Sequence, residues 1–458
     1  MSLIQEGSHE CCTSPLEWFK VLPTQTSIEK SATVEYQSLT ALRPNVPLEF
    51  YIPASTEDYF DLLNSRLYIC CKIVTAAGAE CTAAQIAAPV NDLLNSLWSN
   101  VELYLNDRLV SHSNNMHGYL SMISHLIHDS EESLESERSM RLIYKDTAGG
   151  MNCTNALLRN PEEIIFGLDL ADDDGGIVDE EQGNRGLYLR YRQTRQSKNV
   201  ELMGPLRIDM FEQDRYLPNG VDVKLRFHPQ KRTFALMAEE NQFKIDITEA
   251  YLLMRKVRPS PGVLLGHSDA LAKGPAKFPI TRKECKCFAV SNGLRSFKKD
   301  NIFLGQLPKR IVIGMVASDA FSGLVTENPY NFQHFNINHL QMYVDGEPVR
   351  NQPLRPDLAS GKYLQCYETL FRGLNRLDGE KGSIIKRSDW DKGYSLFAFD
   401  LTPDMDSDDH YALIKHGNLR LDIEFANALA QSINILVYAE FDNVIEITAD
   451  RHVAFDYV

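Results

Sequence analysis

The 458-residue sequence holds no uninterrupted apolar run of about 18 residues, so no membrane-spanning helix is expected. Its opening segment, MSLIQEGSHECCTSP, has no basic stretch followed by an apolar core, and no secretory signal is expected. A paired cysteine framework is also missing. The nine cysteines are odd in number, Cys11–Cys12 and Cys70–Cys71 are adjacent, and neighbours bridge each other poorly. They read as reduced thiols of a cytosolic or nuclear setting, in which the sequon Asn152-Cys153-Thr154 goes unused. Basic charge is scarce: 47 Lys and Arg against 62 Asp and Glu leave a net charge of −15. Gripping phosphate backbones takes clustered cations, so direct sequence-specific nucleic-acid binding is not expected. A local basic stretch, RYRQTRQSK at 190–198, reads as solvated strand and loop.

Motifs that carry chemistry are lacking as well. The nearest approach to a phosphate loop is PDLASGKY at 356–363, with Pro356 in place of the first glycine and Tyr363 in place of the magnesium-binding hydroxyl. No Gly-x-Ser-x-Gly elbow occurs. His117, His125 and His128 sit close in sequence, but His125 and His128 fall off the apolar stripe of their helix and read as surface histidines. His9, Cys11 and Cys12 would offer a soft metal an awkward bite. Cys285 and Cys287 alternate in a strand-like run and are expected to face a core. The acidic stretch 169–182 fails the calcium-loop register, because Leu170 or Ala171 falls at the first ligand position. No pair among the 62 carboxylates is singled out for glycoside hydrolysis. No catalytic residue, metal or cofactor is therefore expected.

What the sequence does contain is strands. A chain of 458 residues suggests two domains of about 200 residues each. With 43% hydrophobic and 24% charged residues, the composition is that of a folded soluble protein and excludes a disordered chain. Runs such as YLLMRKV at 251–257, RIVIGMV at 310–316 and INILVYAEF at 433–441 are apolar and β-branched, and Gly, Pro, Asn and Asp separate them. Long helical patterns are scarce, which points to sandwiches or barrels.

One pattern occurs twice. VELYLNDRLV at 101–110 corresponds to LQMYVDGEPV at 340–349: Val101, Leu103 and Leu105 alternate inward in one, Leu340, Met342 and Val344 in the other. Each run reaches a turn, Asn106-Asp107 or Asp345-Gly346, built from residues that tolerate positive φ. A short amphipathic helix follows in each copy. Tyr119, Leu120, Ile123, Leu126 and Ile127 match Tyr363, Leu364, Tyr367, Leu370 and Phe371 at a constant offset of 244 (363 − 119). A third match, expected to close each copy, pairs Val221, Val223, Leu225 and Phe227 with Leu419, Leu421, Ile423 and Phe425 at an offset of 198 (419 − 221). The first copy carries 46 extra residues (244 − 198), including DSEESLESER at 129–138 and DLADDDGGIVDEEQ at 169–182. These are expected as exposed loops, the former able to continue the helix before it. Residues 1–30 form an expected arm in which Trp18 and Phe19 stand beside Pro, Thr and Ser and are candidates for docking on the chain's own domain or on a neighbouring subunit. The first copy is expected over 31–240, the second over 241–448 and a tail over 449–458.

Several segments resemble one family: LPTQTSIEKSATVEY at 22–36, LEFYIPASTEDYFDLLNSRLYI at 48–69, LWSNVELYLNDRLVS at 97–111, LIYKDTAGGMN at 142–152, and FLGQLPKRIVIGMVASDAFSG at 303–323 with NPYNFQHFNINHLQMYVDGEPV at 328–349. As a set, in order over most of the chain, they resemble the hexon-type major capsid proteins of Polinton (Maverick) elements and adintoviruses. The resemblance implies an all-β chain of two tandem eight-stranded jelly-roll sandwiches, a double jelly roll, with short helices and long loops. It further implies a homotrimer acting as a pseudo-hexameric tile of an icosahedral virion shell, assembled in host nucleus or cytoplasm. Penton and minor capsid proteins would be its partners, and its role would be structural rather than enzymatic. Two rivals remain: a carbohydrate-binding or carbohydrate-processing β-sandwich, and a host scaffold domesticated from a capsid protein.

Overall fold

The computed structural model describes residues 14–19, 21–133, 136–154, 183–377, 382–403 and 410–455. The acidic stretch 169–182, His9, Cys11 and Cys12 lie outside these described residues.

Eight strands make the first unit: β1 (Ile28–Gln37), β2 (Leu48–Ile52), β3 (Tyr59–Thr75), β4 (Trp98–Leu105), β5 (Arg108–His112), β6 (Val200–Gly204), β7 (Val223–Pro229) and β8 (Phe243–Pro259). Eight more make the second: β9 (Ala276–Val290), β10 (Ser296–Lys299), β11 (Arg310–Ala317), β12 (Ile337–Val344), β13 (Glu347–Pro348), β14 (Leu396–Asp400), β15 (Leu419–Phe425) and β16 (Ile433–Ile447). The first unit pairs them as β1-β8-β3-β6 and β2-β7-β4-β5, the second as β9-β16-β11-β14 and β10-β15-β12-β13. Each strand therefore holds the same place as the strand numbered eight higher. Two four-stranded antiparallel sheets facing each other in this order are a jelly roll, and the chain contains two. A last strand, β17 (Val453–Phe455), adds to β16.

The alternation that marks the strands has the expected cause. In β4, Trp98, Val101, Leu103 and Leu105 are buried while Glu102 and Tyr104 stay half-exposed. The hairpin turns fall as expected, with positive φ at Asn106, Asp107, Asp345 and Gly346.

Three expectations are corrected. The match expected to close each copy is the penultimate strand of its roll, and β8 and β16 close them. Its offset is 196, since Val223 pairs with Leu105 and Leu419 with the equivalent Val344 (419 − 223). A slip of two residues keeps every side chain on the same face, so periodicity alone does not expose it. The division expected at 240/241 comes before β8, which pairs with β1 and β3 and so belongs to the first roll.

Among the described residues, four helices of nine residues or more accompany the strands: α1 (His117–His128), α2 (Arg185–Thr194), α3 (Pro261–Leu271) and α4 (Leu364–Arg372). The equivalent helices α1 and α4 have different surroundings. In α1 every residue but His128 is buried, whereas in α4 only Cys366, Thr369 and Leu370 are. The cause is that α1 lies between the two rolls and joins one continuous apolar cluster with Ile311, Ile313, Val437 and Ala439 of the second. Expectations for two segments change accordingly. Arg190–Thr194 is helical, and the run after α1 breaks into short turns at Glu131–Ser133 and Glu137–Arg141 rather than prolonging the helix. No helix among the described residues is long and apolar enough to cross a membrane.

Equivalent leucines should therefore differ in worth. Leu120 is 8% exposed and Leu364 is 55% exposed. Truncating Leu120 to Ala should cost about 2–5 kcal/mol in denaturant unfolding, and truncating Leu364 no more than about 0.5 kcal/mol.

Candidate assembly surfaces

The seam between the rolls is the most heavily built polar region. Glu440, on the outward face of β16, accepts hydrogen bonds from Arg310 Nη1 (3.0 Å), Tyr438 OH (2.7 Å) and His128 Nε2 of the first roll (3.0 Å). Burial alone would raise the Glu440 carboxyl, but the His128 hydrogen bond and the Arg310 and Lys283 charges outweigh it and hold it well below the usual range. Removing one partner from such a buried pair costs about 3–5 kcal/mol, because the other is left unpaired in a dry site. Beside it, Lys283 of β9 bridges to Glu212 and donates to Ser124 Oγ of α1 (3.3 Å). Its backbone N–H donates to Asp209 Oδ1 (3.3 Å), and Arg215 donates to the Lys277 carbonyl (2.6 Å). The segment 209–215 thus clasps the free edge of β9.

A second set of bonds lies farther along the seam. Asp146 pairs with the fully buried Arg190 (2.7 Å) and accepts from Asn328 Nδ2 (2.9 Å), while its carbonyl takes the Tyr394 hydroxyl (2.8 Å). Arg190, expected in a solvated stretch, is a seam residue whose charge Asp146 neutralises. Asn152 of the sequon accepts from the Asn328 backbone (2.9 Å). The C-terminal strand adds a third tie: Asn106 Nδ2 donates to the Arg451 carbonyl (2.8 Å), Arg451 Nε to the Asn219 carbonyl (2.6 Å), and Arg108 to the Val453 carbonyl. The tail expected at 449–458 is, over its described part, a strand that ties the second roll back to the first.

The histidines depart from expectation. His125 is buried and hydrogen-bonded to Asp129, which also pairs with Arg138 (2.8 Å). The sequence pattern puts it on the surface because it lies off the apolar stripe, and that stripe describes one neighbour while α1 has two. His117 is buried against Ser113 and Asn95, and burial pushes its imidazole down to about 4. Cys285 is buried and Cys287 half-buried, and the seven cysteines among the described residues are free thiols. Among the described residues no three His, Cys, Asp or Glu side chains gather as metal ligands would.

Trp18 and Phe19 stand clear of both rolls. Trp18 is 78% exposed and Phe19 97%, with Leu16, Val21 and Leu22 exposed beside them. Their segment leads into β1, whose edge no other strand pairs among the described residues.

Similarity to known proteins runs the length of the chain. No protein-family model matches it. The uncharacterized protein F54H12.2 of Caenorhabditis elegans is 22% identical over 452 residues, covering 95% of this chain and 99% of that one. Among solved structures, a chain of the Sputnik virophage superposes with a TM-score of 0.64 at 13% identity, covering 99% of this chain and 94% of that one. The Faustovirus major capsid protein gives 0.58 at 6% identity, covering 93% and 92%. The mavirus major capsid protein gives 0.53 at 12% identity, covering 100% and 97%. The fold is the double jelly roll. Within that class it is similar, end to end, to viral major capsid proteins.

The seam also gives a pH signature. Burial, with Glu212 adding to it and Lys283 opposing, raises the Asp209 carboxyl to about 6. A carboxyl whose folded value lies above its ordinary one is stabilised in its protonated form. Its contribution is thus full below about pH 4, declines above it, and is lost as pH passes about 6. Asp209→Asn should flatten the fall in melting temperature between about pH 4 and 6. An unchanged slope would show that Asp209 is not the titrating group.

Proposed function

We propose that this chain is the major subunit of an icosahedral shell, located in the virion and acting by shape rather than by catalysis. The observation that carries this reading is the duplication: two jelly rolls of identical strand order, locked side by side by a buried seam. Three such chains present six equivalent rolls, so a trimer fills a six-fold position with closed symmetry. The end-to-end likeness to viral major capsid proteins supports the same reading. Penton and minor capsid proteins would complete the shell, as in the Polinton- and adintovirus-type organisation. A nematode relative covering nearly the whole chain favours a second reading, in which an animal genome retains the protein as a scaffold. Formation of closed particles would separate the two.

Light scattering behind a sizing column should give about 156 kDa (3 × 51.9) or larger shell-like particles. A mass of 51.9 kDa at every concentration would end the capsid reading.

The exposed arm is proposed to dock on a neighbouring subunit, Trp18 and Phe19 being its anchors. Replacing both with Ala should leave the melting temperature within about a degree, since neither packs on its own rolls. Particle yield should fall sharply, as read by sedimentation.

A further inference from the structure

The first roll is open at one of its ends. Strands β3 and β8 have 17 residues each, whereas β1 has 10 and meets β8 only from Tyr251 onward. The start of β8 therefore has β3 on one side and, among the described residues, no strand on the other. Here a cleft of about 510 Å³ lies between the two sheets. The links 38–47, 76–97 and 230–242 leave the roll at this end and frame the mouth. Leu48 and Trp98 come from one sheet, Ile245 and Ile247 from the other, and Leu97 and Ala235 from the links. Ile245 and Ile247 stay half-buried. Ile435 and Val437, third and fifth in β16 as those two are in β8, are fully buried. The first roll is thus short of apolar cover where the second is complete, and apolar surface left to water is unfavourable.

The mouth is cationic. Arg43, Lys231, Arg232 and Lys244 line it, and Asp246 is the one carboxylate among the lining residues. None of the four cations makes an ion pair or a side-chain hydrogen bond with a described residue. In a chain of net charge −15, four unpaired cations around an apolar slot are a local reversal of sign. The volume lies within the roughly 300–1,000 Å³ of small-molecule sites, which likewise combine apolar walls with a few orienting polar groups.

We propose that this cleft binds a long-chain fatty acid, with its alkyl chain between the sheets and its carboxylate at the mouth. Charge complementarity selects the head, because Arg and Lys offer charge-assisted donors to a carboxylate. The walls select the tail, because each methylene placed against Leu48, Trp98, Ile245 and Ile247 leaves water for an apolar surface. An acidic peptide would meet the same cations, but its backbone groups would lie unpaired against those side chains. The bound chain completes the core of the first roll, so occupancy and folding stability are linked. The inference goes beyond the shell reading and is read on single chains, so it stands or falls separately from assembly.

Calorimetric titration of the full chain with palmitate, below its micelle threshold, tests the site. The wild type should bind one palmitate per chain and melt at a higher temperature when loaded. Lys231→Glu with Arg232→Glu reverses two exposed charges at the mouth. That variant should keep the unloaded melting temperature and weaken binding about tenfold or more. Ile247→Trp fills the slot and should abolish binding without lowering the unloaded melting temperature. Absence of saturable binding, or binding that both variants leave unchanged, would overturn the proposal. So would an acidic peptide without an acyl chain that competes for the cleft with the affinity of palmitate.

Discussion

The covering of the second roll's outer sheet face by the first roll is the constraint on which this structure turns. A jelly roll closes its own core between two sheets, and nothing in that closure requires a partner. Here β16 and α1 have both been committed to a partner. β16 is apolar without a break from Ile435 to Ala439 because it has protein on both faces, as fully buried strands do. The charges that remain, Glu440, Arg310, Lys283 and Glu212, are paired across the gap or beside it. Those pairs fix one register of roll against roll, and a shift would leave buried charge without a partner.

The asymmetry of the molecule has the same origin. Two rolls with one topology have diverged in what their outer faces meet. The first roll's helix is core and the second's is surface, the first roll's sheet face is open and the second's is shut. The extra chain in the first copy serves the same end, because its described parts supply Asp146, Asn152 and Arg190 to the seam.

Much of the fold could be read from residue patterns. Val101, Leu103 and Leu105 alternate, their turn carries Asn and Asp, and their counterparts at 340–346 do the same, so the duplicated sheet was visible. Register was not, because a two-residue slip preserves the alternation of Val221 to Phe227. The seam was largely hidden. His125, Arg190 and Glu440 are polar, and polar residues in a helix or strand ordinarily mark the solvent side. What reversed their meaning is tertiary contact that local periodicity does not encode: Glu440 meets His128, 312 residues away, Arg190 meets Asp146 and the Pro89 carbonyl, and His125 pairs with Asp129 inside the packed seam. Trp18 and Phe19 stood out because large aromatics without periodic neighbours have no core of their own to enter.

The distance in sequence between seam partners has a consequence for how the chain is made. His128 meets Glu440 across 312 residues. At about 5–20 residues per second, helix α1 leaves the ribosome roughly 15–60 s, and the finished first roll roughly 9–36 s, before their cover exists. For that interval Tyr119, Ile123 and Ile127 belong to a surface rather than a core. The nascent first roll is then a half-finished product with an adhesive side. Its neighbours on the same message carry the same side, and a premature match between them would join chains before either had a second roll to offer. Synthesis order thereby sets a kinetic demand that the finished fold conceals: the apolar face of α1 must be sheltered in time as well as in space.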